Sequence, residues 1–247
     1  MNYFAQLTEQ PPNRWEGFDL GDPGSRTTSL RDQLTFTGLA LVILACAPEA
    51  DAAERERGLA GLTAISARLG QRRIWADAAL VAERAGLLPD PISEGNAGFA
   101  GQLAAIYSLR ALLGIAPPED EPVELRWLSD FCFRYPPADL TATLVRRMRE
   151  WPDGGVPSYG TVALPYEMLH VLWALHLSDR AFGGDHAGAG DRWLSALEER
   201  IALRGPRMFG RGVFAGTYDL KRRAPHSAAI RSTTPGAWRC WRRWHRT

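Results

Sequence analysis

Cysteine is scarce: Cys46, Cys132 and Cys240 make three, an odd number with no close pair. That argues against a disulfide framework and against a zinc knuckle, and leaves reduced thiols in a cytoplasmic protein as the simpler expectation. Lysine is scarcer still, with Lys221 alone beside an otherwise arginine complement. No apolar run is long enough for a bilayer: Leu34 to Ala47, the greasiest stretch, falls short of the roughly 20 residues required and reads as a buried helix. The first residues lack the basic start and apolar run of a signal peptide. Net charge is missing too, with 29 basic against 28 acidic side chains, so the balance calls for no nucleic acid, membrane or acidic partner.

What is present is a globular composition, 247 residues of which 45% are hydrophobic, enough to bury one sizeable core. Residues 1–28, rich in Pro, Gly, Asp and Thr, read as an irregular arm. From Ser29 onward the apolar spacing is helical. Leu30, Leu34, Gly38, Leu41 and Ala45 form a stripe that Pro48 stops, and a second helix is expected over about 50–69 with Gly70 at its end. Asn96 then opens the central helix, where Phe99, Leu103, Ile106, Leu109, Leu112 and Leu113 recur as one buried face up to Gly114. Further helices are expected at 123–135, 139–151, 163–181 and 191–203, and only residues 207–218 suggest a short hairpin. The fold class is therefore all-α, in antiparallel hairpins joined by alternating short and long loops, at a spacing compatible with an (α/α) toroid.

The tail 221–247 stands apart. It contains no acidic residue, and Trp238, Trp241 and Trp244 lie among arginines. Its basic and aromatic character is weak support for nucleic-acid binding, and the preferred reading is a non-native or wrong-frame end attached to a domain at 29–220.

Candidate site residues come from the polar turns. The 71–95 connection is long for a compact domain and carries Trp75 and Asp77, an aromatic wall and a carboxylate suited to a cation-forming site. Competing readings are a core tryptophan and a capping aspartate. Asn96 reads as a helix cap more readily than as a ligand contact. Gln102, at the start of the central helix, is placed to position a hydroxyl or to cap a neighbouring backbone group. Tyr159, in the loop Gly154-Gly155-Val156-Pro157-Ser158-Tyr159, is the best candidate for an acid or hydrogen-bond donor. Glu167-x-x-His170 has the spacing of carboxylate-bridged metal bundles, but a single copy does not make such a site, and no metal or cofactor is expected.

Arg73-Ile74-Trp75-Ala76-Asp77, Asp90-Pro91-Ile92 and Asn96-x-x-Phe99-x-Gly101-Gln102-Leu103 with Tyr107 resemble the linalool dehydratase/isomerase family. Leu30-Arg31-Asp32-Gln33-Leu34-Thr35-Phe36 is similar to that family's Leu-Arg-Tyr-Gln helix, with Asp32 where an aromatic is usual. The resemblance implies a toroid with its site at the inner mouth, and cofactor-free dehydration or isomerisation of a small terpenoid alcohol. Such chemistry needs an acid for the leaving hydroxyl, a base for the β-proton and an apolar pocket around the developing cation. Catalysis is then expected of Gln102, at the family's histidine position, of Tyr159, and of Asp19, one of three carboxylates with Glu16 and Asp22 near the family's N-terminal aspartate. The resemblance places Trp75, Asp77, Asn96, Phe99, Tyr107 and Tyr166 against the substrate. The chain departs from the family where Gln102 replaces a histidine and Gly155 and Leu164 replace two cysteines.

Two other readings stay open. One is a non-catalytic or truncated toroid that binds a lipid-like molecule or a protein. The other is a carbohydrate-active toroid, for which Asp77 with Asp90 or Glu94 is the available carboxylate pair. About seven or eight helices are visible where a closed ring needs roughly twelve, so the expectation is an incomplete toroid with uncovered apolar faces, either short of its C-terminal part or associating, as in a homo-oligomer.

Overall fold

The computed structural model describes residues 2–20, 28–76, 86, 90–94, 96–115, 122–203 and 213–225. They form a mostly helical molecule with three small antiparallel sheets at its margins. No helix among them is long and apolar enough to cross a membrane.

Helices α2 (Thr28–Ala45) and α3 (Ala52–Leu69) make the expected hairpin. Asp51 starts α3 with a capping box: its side chain accepts from the Glu54 amide at 2.7 Å while Glu54 returns to the Asp51 amide at 3.2 Å. The two helices approach closely because Gly58 faces Ala45, where an added Cβ would lie 2.7 Å from the Ala45 methyl.

The arm expected to be irregular contains a two-turn helix, α1 (Asn2–Glu9). Its order comes from a distant residue rather than from local patterning. Arg68 of α3 is fully buried and donates to the carbonyls of Leu7, Gln10 and Pro11, with Trp15 and Phe18 beside its guanidinium. Carbonyls at the end of α1 and in the turn after it thus gain a buried charged donor from α3.

At the centre lies α4 (Ala97–Leu112), buried on nearly every side from Ala97 to Ile106. Asn96 caps it by accepting from the Phe99 amide at 2.9 Å. Its main partner is α6 (Pro165–Phe182), which ends on Gly183 in the left-handed region at φ 75°. Between them in sequence, α5 (Pro137–Arg149) packs on α4, and its Arg147 donates to the Ile92 carbonyl at 3.2 Å.

The helix expected at 123–135 is instead a hairpin of β1 (Val123–Arg126) and β2 (Cys132–Tyr135). Val123 and Leu125 point inward while Glu124 and Arg126 point out, a two-residue period over a segment too short to separate from a helical one. Glu124 faces Arg134 across the pair, and the two bond at 2.9 Å.

The expected final helix, 191–203, is broken: α7 (Asp191–Ala196) passes into a π-type turn and then into β4 (Ala202–Leu203). The hairpin expected at 207–218 lies partly outside the described residues. Its described strands pair elsewhere, β5 (Val213–Phe214) with β4, and β6 (Tyr218–Asp219) with β3 (Val162–Ala163) and β7 (Ala224–Pro225).

Residues 221–225, expected to belong to the tail, are part of the fold. Arg223 sits at a left-handed φ of 56° and its guanidinium reaches Asp153 at 2.7 Å. Asp153, nearly fully buried, also accepts from Arg200 at 2.8 Å and from the Tyr218 hydroxyl at 2.7 Å. The rest of the tail, 226–247, lies outside the described residues.

Candidate functional site

The two polar bends, at Asn96 and at 155–162, do meet. The Ala97 amide donates to Pro157 O at 3.1 Å, the Asn96 side-chain amide to Ser158 O at 3.1 Å, and the Ser158 hydroxyl accepts from the Leu164 amide at 3.1 Å. This contact fixes the starts of α4 and α6 against each other. One turn into both helices, a group of polar side chains then gathers with the start of α2.

Glu167 is fully buried and bonded on both oxygens: Oε1 faces Arg31 of α2 at 3.1 Å and the Tyr166 hydroxyl at 3.3 Å, and Oε2 accepts from the Gly98 amide at 3.3 Å. Gly98 allows this approach, since a Cβ there would lie 2.7 Å from Glu167 Cδ. A turn further along, Gln102 Nε2 donates to Asp32 Oδ1 at 2.7 Å and lies 3.3 Å from His170 Nε2. Reversing the amide would set its oxygen against the Asp32 carboxylate, so the nitrogen faces both partners. His170 Nε2 is then the acceptor, and the ring proton sits on Nδ1.

Burial holds the His170 imidazole down to about 4, only partly offset by the nearby Asp32 carboxylate, so the ring is neutral across the physiological range. Burial and the Glu167 charge push the Tyr166 hydroxyl well above its ordinary value, and it remains a phenol. Phe36 lies 6.2 Å, centroid to centroid, from the His170 ring. Asp32 and Phe36 also line an open groove of about 640 Å³ between α1 and α2, with Tyr3, Phe4 and Phe18 on its walls. The arrangement thus offers a carboxylate and a neutral imidazole joined by one amide, beside an aromatic groove. Gln102 Oε1 and Arg31 Nε and Nη1 are buried with no partner among the described residues, so the junction holds spare capacity for both a donor and an acceptor.

Of the residues singled out in the sequence, Gln102 and Tyr166 fall in this junction. Asp19 lies close by, exposed, with its backbone amide and carbonyl each held at 2.8 Å by the side chain of Gln33, the neighbour of Asp32. Tyr159 is exposed in a tight turn paired with Val162, and the described partners of Gln102 are Asp32 and His170. Trp75 is fully buried, packed at 5.7 Å on Trp127 and donating from its indole to Gly70 O at 3.0 Å, which makes it core rather than a substrate wall. Phe99 is likewise core, and Asn96 is the cap already described. Tyr107 lies half-buried beside Arg110. Asp77 falls outside the described residues.

Sequence reasoning missed Arg31, Asp32 and His170 as members of one group. Their signal was available: the charged pair Arg31-Asp32 at the start of an otherwise apolar helix, and the Glu167-x-x-His170 spacing, which puts one residue on an ion pair and the other on an amide. No group of three or more His, Cys, Asp or Glu side chains placed to hold a metal ion occurs among the described residues. The chain matches no protein-family model, and no curated protein matches it.

Proposed function

We propose that the protein is a cofactor-independent lyase or isomerase acting on a small apolar alcohol, on an (α/α)-toroid type of scaffold, with His170 as base, Tyr166 as acid, and Asp32 and Gln102 holding the hydroxyl. The observation that carries this reading is the 3.3 Å separation of His170 Nε2 from Gln102. Gln102 occupies the place of a histidine in the family that the chain resembles, and here a neighbouring helix supplies an imidazole to the same spot.

In this reading the alcohol enters the groove of Phe36, Tyr3 and Phe18, and its hydroxyl lies against Asp32 and Gln102. Gln102 turns its amide from His170 to the alcohol, the freed Nε2 of neutral His170 takes the β-proton, the C–O bond breaks, and the departing hydroxyl leaves as water with the proton of the Tyr166 phenol. The His170 imidazolium then returns its proton to the tyrosinate, and the cycle closes without an external reagent. Asp32 faces the carbon that becomes electron-poor and stabilises it through space. Return of the water to the other end of the allylic system gives the isomer in place of the alkene.

The test is turnover of a panel of small tertiary and allylic alcohols by the purified chain, with volatile products followed by gas chromatography. Formation of alkene or transposed alcohol is expected, with Asp32→Asn and His170→Gln each lowering kcat by about 100-fold or more and changing KM little. Activity should fall on the acid side as His170 takes a proton near pH 4. Saturable binding of the alcohols without turnover would replace this reading by the non-catalytic, lipid-binding one. Neither binding nor turnover would remove both.

A further inference from the structure

A second cavity, of about 600 Å³, opens between the end of α3, the helical residues 72–76 and the β1–β2 hairpin. It is separate from the junction described above: Tyr107, which lines it, lies five positions beyond Gln102 on α4 and so on another face of that helix. Its size suits a small organic molecule.

The cavity is arginine-rich and short of balancing carboxylate. Arg72 lines it with its guanidinium 4.1 Å from the centroid of the Trp127 ring. Arg110 reaches two lining residues, donating to the Ser66 hydroxyl at 2.9 Å and lying 5.2 Å from the Tyr107 centroid. Neither Arg72 nor Arg110 has a carboxylate partner among the described residues, and Arg110 Nε is buried with no acceptor. The one lining carboxylate, Glu124, is already shared by Arg126 at 3.1 Å and Arg134 at 2.9 Å. Burial raises the Tyr107 hydroxyl above its ordinary value, so it stays a phenol able to donate. Trp127 and Leu128 supply the apolar wall. Unmatched guanidiniums beside a hydroxyl and an indole are the chemistry that recognises an oxyanion on a flat apolar body.

We propose that this cavity is a binding site for a small aromatic oxyanion, a carboxylate or phosphate joined to a ring, distinct from the proposed alcohol site and independent of it. The anionic group meets Arg72, with Arg110 lending its charge from behind Ser66 and Tyr107, and the ring rests along Leu128 and the edge of the Trp127 indole.

The experiment is a titration of the intact chain with benzoate, phenyl phosphate and the neutral benzyl alcohol, followed by tryptophan fluorescence. Saturable quenching by at least one anion and not by the alcohol is expected, and which anion binds more tightly tells a carboxylate site from a phosphate site. Arg72→Gln should weaken binding by about tenfold or more, the loss of one charge-assisted contact. Ser129→Trp, an exposed change at the mouth, should block it while far-ultraviolet circular dichroism is unchanged. Absence of saturable quenching by both anions, equal affinity for benzyl alcohol, or affinity untouched by Arg72→Gln and Ser129→Trp would overturn the assignment.

Discussion

Glu167 shows how one residue commits a whole junction. Its carboxylate is out of water, and three donors from three places replace that water: Arg31, Tyr166 and the Gly98 amide. Removing the charge while leaving the guanidinium buried is costly. Glu167→Gln is expected to destabilise the chain by about 3 kcal/mol or more in urea unfolding, while the pair Arg31→Met with Glu167→Leu recovers much of that loss. His170 carries a different signature. Its folded pKa of about 4 lies below the ordinary 6.5, so the unfolded chain binds the proton more readily. Its contribution is therefore complete above pH 6.5 and is lost as pH falls toward 4, up to roughly 3 kcal/mol by proton linkage. Urea midpoints measured across that window should fall with pH in the native chain and fall less in His170→Gln.

The contact of α4 with α6 depends on what α4 lacks. A methyl group at Gly101 would lie 2.7 Å from the Val171 nitrogen and 2.8 Å from the His170 carbonyl carbon, and backbone of a neighbouring helix cannot step aside as a side chain can. Gly101→Ala is expected to cost about 1 to 3 kcal/mol in chemical denaturation, because the two helices must part. It should also lower the activity proposed for the junction, since Gln102 and His170 flank the same contact. At this scale the sequence was readable where a helix announces its own ends. Asn96, Asp51 with Glu54, and Gly70 all sit at termini close to those expected. It was unreadable where order comes from elsewhere: α1 is held by Arg68 from α3, and the β1–β2 hairpin has four-residue strands whose alternation is too brief to oppose a helical reading.

For the whole molecule, the site was legible as positions and not as company. Gln102 stood out from its place at the head of the central helix, but its partners Asp32 and His170 lie 70 and 68 residues away, a pairing that spacing along the chain cannot reveal. Trp75 was conspicuous for the opposite reason. A large aromatic beside a loop looks like a ligand wall until a second tryptophan, Trp127, is found covering it. The clasp on Asp153 is of the same long-range kind. Burial alone would raise its carboxyl; the Arg223 guanidinium and the Tyr218 hydroxyl outweigh that and hold it below the usual carboxylate range. The clasp therefore acts in full at neutral pH and weakens as pH falls through that range, whereas Asp153→Asn removes its charge at every pH. Trypsin should then cut at Lys221, Arg222 or Arg223 several times faster in Asp153→Asn than in the native chain, with helix content retained.

That clasp also sets an order of events during synthesis. Asp153 leaves the ribosome 70 residues before Arg223 and 65 before Tyr218. Once α6 is complete at Phe182, the α2, α4 and α6 junction is available to form, while the loop that leads into α6 still lacks its last fastening. A nascent chain halted before residue 218 would have that junction assembled and its latch open.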